Sequence, residues 1–138
     1  MPSGLSAFSE LGSTLKQAVE GAVAAARLGG AVQFVARVGD DVFGRQAVAG
    51  FKAEGIDCSA VKTDSDLASG TALITVDASG ENSIVVAPGA NNALVPEDLS
   101  GIDFAAASLV LMQLETPLPT IAAATKAAPR KCVLNPAP

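Results

Sequence analysis

The sequence predicts an α/β fold, and three observations carry that expectation. An apolar stripe at helical spacing is followed by a β-branched run, and that run by a second helical stretch. The same alternation returns near the C-terminus. The chain has five Phe, no Trp and no Tyr, so its core has to be built from Ala, Val, Leu and Ile. Such cores suit layers of small helices packed on a Val-rich sheet.

The elements follow in order. Residues 1–12 carry Pro2, Gly4 and Gly12 with little periodicity and read as a loose leader, ahead of one domain over 13–138. From Ser13, residues Leu15, Val19, Ala22, Val23 and Ala26 form one helical stripe, which Gly29-Gly30 stops. Val32 to Val38 suits a buried strand. Asp40-Asp41 then opens a helix, where a carboxylate caps free N–H groups and favours the positive end of the dipole. Gly55 ends that helix, with Ile56 placed to pack back over its last turn. This order suggests right-handed crossovers.

Beyond Ile56 the pattern changes. Thr71–Val76 and Ser83–Ala87 are short β-like runs joined by turn chemistry, Asp77-Ala78-Ser79-Gly80-Glu81-Asn82. They predict a half-exposed hairpin, a flap or dimer-forming edge. Pro88–Asn92 reads as a loop. A short helix is expected over Pro96–Ala106, bent near Gly101. A buried strand is expected over Ser108–Leu114. Thr116-Pro117 should cap and open the next helix, and Lys131–Leu134 should form the next strand.

Charge and cysteine content exclude several functions. Net charge is −5 and the pI is near 4.5, so no basic face is available for nucleic acid. Cys58 and Cys132 read as two buried reduced thiols. Without His or CxxC, no zinc site and no Ser-His-Asp or Cys-His chemistry is expected. Met1–Glu10 does not resemble a secretory signal, and no apolar run of membrane-spanning length occurs. A cytoplasmic protein is the expectation.

Four sets of segments carry a family resemblance. They are Ala22–Gly30 with Phe34–Gly44; Ser69–Ile74 with Gly80–Ile84; Pro88-Gly89-Ala90-Asn91; and Met112–Pro117 with Leu134–Pro138. In this order and spacing the sequence resembles the ribokinase-type members of the phosphofructokinase-B carbohydrate kinase family, over residues 22–138. The resemblance implies a partial three-layer, Rossmann-like sandwich: a mostly parallel sheet with helices on both faces and a β-hairpin lid at about 71–87. It also implies a parent reaction, transfer of the ATP γ-phosphate to ribose, with Mg²⁺. A homodimer joined through lids or exposed edges is a further implication.

Site residues follow from both lines of reading. Glu115 ends a predicted parallel strand, where open α/β sheets bind their ligands. A carboxylate there accepts hydrogen bonds from a vicinal diol, and the resemblance implies sugar contact at this residue. It equally suits the start of the 116–127 helix. Asn135 matches a residue near the cleft and is also a turn former before Pro136. Ala72 and Ile84 offer apolar cover to a sugar, or simply pack the lid. Asp41 and Gly44 read as a cap and a tight glycine, and Asn91 as a side-chain-to-backbone turn.

No catalytic residue and no metal ligand is assigned, and the nucleotide-contacting residues are unknown. The family's Gly-Ala-Gly-Asp base and anion hole, its Asn-x-x-Glu motif and its N-terminal Asn-x-Asp sugar turn do not occur in this sequence. The expectation is a chain truncated at both ends and inactive in isolation, because base and anion hole are absent. The alternatives are a non-catalytic dimerisation or subunit-binding module, and a site completed by a second chain.

Overall fold

The computed structural model describes residues 16–76, 80–128 and 131–136. The expected leader at 1–12 lies outside them. Helix α1 spans Lys16–Arg27 and strand β1 Ala36–Gly39. Helix α2 spans Val42–Ala53 and strand β2 Val61–Asp64. The hairpin consists of β3, Thr71–Val76, and β4, Asn82–Ala87. Two 3-10 turns follow, Gly89–Ala93 and Pro96–Leu99. Strand β5, Val110–Gln113, helix α3, Leu118–Ala127, and strand β6, Cys132–Asn135, complete the described chain.

Strand β1 pairs in parallel with β2, from Ala36 opposite Val61 to Gly39 opposite Asp64. Strand β5 pairs in parallel with β6, and β3 with β4 antiparallel. The mixed, partial α/β fold is the predicted one, but its strands form three separate pairs. No described strand joins β1–β2 to β5–β6. Helix α1 touches both units, since Gly21 lies against the Leu111 side chain while Ala22 enters the core beside β1.

That core is Ala22, Phe34, Ala36, Phe51 and Ile56. The rings of Phe34 and Phe51 meet at 4.7 Å, and they are the large groups in an otherwise small-residue interior. Asp41 caps α2 as expected, its Oδ1 accepting from the Gly44 N–H at 2.8 Å. At the other end Gly55 takes φ +76°, and the Ile56 N–H reaches back to the Phe51 carbonyl at 3.0 Å. This left-handed stop returns Ile56 to the core.

An ion cluster fastens the same unit. Arg37 donates through Nε to Asp64 Oδ2 and through Nη1 to Asp98 Oδ2 and the Ala93 carbonyl, each at 3.0 Å. One guanidinium thus ties β1 to β2 and to both 3-10 turns.

Several expectations need correction. Strand β2 had no sequence prediction, because Val61-Lys62-Thr63-Asp64 is short and its two central residues are exposed. The segment after Pro96 is one 3-10 turn followed by looser turns, with Gly101 at φ +83°, and not a helix to Ala106. Helix α3 starts at Leu118 with Pro117 in the capping position; the Thr116 hydroxyl instead donates back to the Gln113 carbonyl at 3.4 Å. Cys58 is half-buried, but Cys132 is exposed, because β6 lies at an uncovered edge.

The hairpin is open on both faces rather than one. Leu73 and Val85 are direct partners on one face and are 69% and 64% exposed. Ile84 and Val86 lie on the other and are also exposed. Period-two alternation marks a strand but does not say which face finds a cover.

Candidate functional site

The carboxyl end of the β5–β6 pair gathers two of the predicted residues. Gln113 ends β5 opposite Asn135, which ends β6. Glu115 follows two residues after β5, before α3 begins. The strand register therefore places Glu115 and Asn135 at one edge, as two neighbouring parallel strands deliver them.

Glu115 is half-buried, and its Oε2 is buried without a hydrogen-bond partner. Burial pushes its carboxyl above the ordinary range, since leaving water disfavours the charged form. The Gln113 side chain beside it is buried and its Oε1 is also unpartnered. Two buried acceptors without donors are costly unless something supplies O–H or N–H groups. Glu115 stands ahead of α3, whose first turn has no acidic residue and whose cap makes no side-chain hydrogen bond.

Ala72 and Ile84 share one hairpin face: Ala72 pairs with Val86, and Ile84 with the residue two positions after Ala72. Ala72 is half-buried and Ile84 exposed. Among the described residues the hairpin makes no extensive packing contact with β5, β6 or α3. The structure thus assembles the predicted residues as two pairs, one on the strand ends and one on the hairpin.

A third cluster had no functional reading in the sequence. Asp41, Ser69 and Gly39 form a hydrogen-bonded knot where β1 ends and the hairpin begins. Asn91 lies beside it, 2% exposed, with Nδ2 lacking a partner. The Asn91 backbone N–H donates to the Pro88 carbonyl at 3.1 Å. The Asp41–Ser69 pairing spans 28 positions and left no local signal beyond Asp41 itself.

A cleft of about 300 Å³ is lined by none of Glu115, Asn135, Ala72 and Ile84. It runs along α2 between Arg45, Lys52 and Thr63.

The sequence profile of the pfkB family of carbohydrate kinases matches residues 21–137. The chain belongs to that family. Among its relatives, the ribokinase of Haemophilus influenzae is 44% identical over 122 residues, covering 85% of this chain and 40% of that protein. The bifunctional ribokinase/ribose-5-phosphate isomerase A of Fructilactobacillus sanfranciscensis is 43% identical, over 85% of this chain and 23% of that one. A crystal structure of Cryptococcus neoformans ribokinase in complex with ADP superposes with a TM-score of 0.75 at 34% identity, covering 87% of this chain and 39% of that chain. The chain therefore spans well under half the length of these relatives.

The described residues do not by themselves make a magnesium site. Among the described residues no three of His, Cys, Asp and Glu come together as a metal-holding group. Asp41 and Asp64 are already committed to backbone N–H groups and, for Asp64, to Arg37.

Proposed function

We propose that this chain carries the sugar-contacting edge of a ribokinase-type site, with ribose as substrate and ATP as phosphate donor, and that it does not transfer phosphate in isolation. The observation that carries the reading is the unpaired, buried oxygen of Glu115 at the carboxyl end of a parallel strand. A sugar hydroxyl donated to it would relieve an acceptor that nothing in the described chain satisfies. Asn135, delivered to the same edge, adds a side chain with both donor and acceptor. Ala72 and Ile84 would lay an apolar cover on the sugar from the hairpin, which then acts as a lid.

Inactivity in isolation follows from what phosphoryl transfer needs. An aligned base and preorganised donors for the developing charge supply most of the rate. We place the reaction in the cytoplasm as part of this reading; no described helix is long and apolar enough to cross a membrane.

The test is ribose binding followed by NMR chemical shifts on purified chain, with ATP turnover measured in parallel. Shifts at Glu115 and Asn135 that vanish in Glu115→Ala, without ribose-dependent turnover, are expected. Ribose-dependent turnover by a chain of confirmed mass would overturn the inactivity. Shifts unchanged by Glu115→Ala would overturn the contact.

A second reading rests on the hairpin. With apolar residues open on both faces, an isolated two-stranded ribbon is marginal in water and gains from a partner. A homodimer through the hairpin would cover Leu73 and Val85 and leave the Ile84 face for the sugar. Sedimentation across concentrations decides it, since a strict monomer removes this reading.

A further inference from the structure

The hairpin stands on a narrow neck whose construction is specific. Its entering leg is Ser69-Gly70, and its leaving leg is Pro88-Gly89. The Ala90 N–H donates to the Ala68 carbonyl at 2.8 Å and closes one leg on the other. A methyl group on Gly70 would lie 2.5 Å from Asn91 Nδ2 and 2.6 Å from the Pro88 carbonyl. Gly89 takes φ +51° and would collide with the Ala68 carbonyl if it carried a side chain. Both legs thus approach as closely as backbone allows, which only glycine permits.

One carboxylate fixes this neck to the body. Ser69 N–H donates to Asp41 Oδ2 at 2.7 Å, and Ser69 O–H donates to Asp41 Oδ1 at 2.8 Å. The Ser69 hydroxyl also accepts from the Gly39 N–H at 2.9 Å, at the end of β1. Asp41 Oδ1 meanwhile caps α2 through Gly44. Ser69 is 8% exposed, so these bonds are shielded from competing water. Capping needs only one acceptor oxygen; the second oxygen of Asp41 is spent on the hairpin leg.

We propose that Asp41 and Ser69 are positioning residues that set the angle of the β3–β4 hairpin relative to the strand ends bearing Glu115 and Asn135. The proposal rests on the reading of the hairpin as a sugar lid. In that arrangement motion is confined to the hairpin beyond the neck, while Ser69 and Gly70 stay fixed to β1 and α2. The apolar face holding Ala72 and Ile84 then returns to one place on each closure. Orientation of this kind governs how well a bound sugar is aligned, without Asp41 or Ser69 touching it.

The experiment measures the hairpin's spread directly. Spin labels at Ser83→Cys and Glu97→Cys, in the whole chain carrying Cys58→Ser and Cys132→Ser, report the distance between lid and body. Ser69→Ala removes the hydroxyl. Asp41→Asn keeps an oxygen for the α2 cap, at which Asn serves as well as Asp, but its amide cannot accept from both Ser69 groups. Both should broaden the distance distribution, with displaced arrangements gaining about tenfold in population. A Phe51→Leu control, which weakens the core without touching the neck, should keep the parent width.

Folded Ser69→Ala and Asp41→Asn chains with the parent width would overturn the proposal, as would equal broadening in the Phe51→Leu control. Should Ser69→Ala fail to fold by circular dichroism, Asp41→Asn carries the test alone. Ribose added to the parent pair tests the lid reading separately. A distribution that ribose leaves unchanged removes the lid, whereas unchanged width in the variants removes the neck.

Discussion

The chain contains the same supersecondary unit twice, with different outcomes. In β1–α2–β2 two parallel strands flank a helix, and Ala36, Val38, Phe51 and Ile56 are all at most 5% exposed. In β5–α3–β6 the arrangement repeats, yet Leu111 and Val133 are each 47% exposed. The first unit has α1 over its core, the Arg37 ion cluster across its strands and the Asp41 knot at its end. The second has α3, the edge of α1 at Leu111, and among its described anchors the bond from Thr120 Oγ1 to the Leu94 carbonyl at 2.7 Å. Parallel pairs are stable when both faces are covered. The covered unit is the scaffold, while the open one carries two unsatisfied buried acceptors, Gln113 Oε1 and Glu115 Oε2, that point to a ligand.

The largest expected effect tests whether the first unit is the scaffold. Phe51→Ala removes a ring 4% exposed and in contact with Phe34, and should cost about 3–4 kcal/mol, a large part of a small domain's stability. Leu111→Ala, the matching truncation in the second unit, should cost less than about 1 kcal/mol because water already reaches the side chain. Denaturant titrations followed by circular dichroism give both values. Equal losses would mean that the two units share one core and would break the comparison.

Acidification should separate the units by sign. Hydrogen bonds from Gly44 and Ser69 hold the Asp41 carboxyl below the ordinary range, and those from Asp66 and Leu67 do the same for Asp64. A carboxylate with a depressed folded pKa contributes stability above its unfolded value, about 3.9, and loses it as pH falls through the folded one. Glu115 is shifted the other way by burial, so protonation relieves it as pH falls through its raised value. Amide exchange, corrected for the intrinsic pH dependence, should therefore speed up around β1 and β2 below about pH 4. Exchange around β5 should hold or slow over the range just above. Parallel behaviour of both regions would show that Glu115 is paired in solution.

How much of this is legible in the sequence depends on range. Helix α2 was legible because its signals are local: Asp41 before it, Gly55 after it, and Val42, Phe43, Ala47, Val48 and Phe51 in its periodicity. The hairpin was legible to within one residue, β4 starting at Asn82 rather than Ser83. Strand β2 was not, since a four-residue run with Lys62 and Thr63 exposed has neither length nor pattern. Thr116 was misread as a cap because Thr-Pro is a common opening, and only the backbone path decides which residue is outside the helix. At the site, Glu115 was placed by the rule of strand ends. Its unpaired oxygen, the two-sided exposure of the hairpin and the Asp41–Ser69 knot depend on contacts between distant segments, which no local pattern encodes.

The smallest effect is the one that bears most directly on the site. Glu115→Gln keeps the shape of the side chain and removes a charge that burial disfavours. At neutral pH it should leave the fold intact and raise stability by about 0.5 kcal/mol, a modest figure because the group is only part-buried and solvent screens it. The same change should weaken ribose binding, since a neutral amide oxygen is a poorer acceptor than a carboxylate for hydroxyl donors. A gain in stability with a loss of binding is the signature of a residue retained for a ligand at some cost to the fold. A loss in both would place a hidden partner on Glu115 within the folded chain. The second unit would then be a scaffold like the first, and the contrast between them would be one of coverage alone.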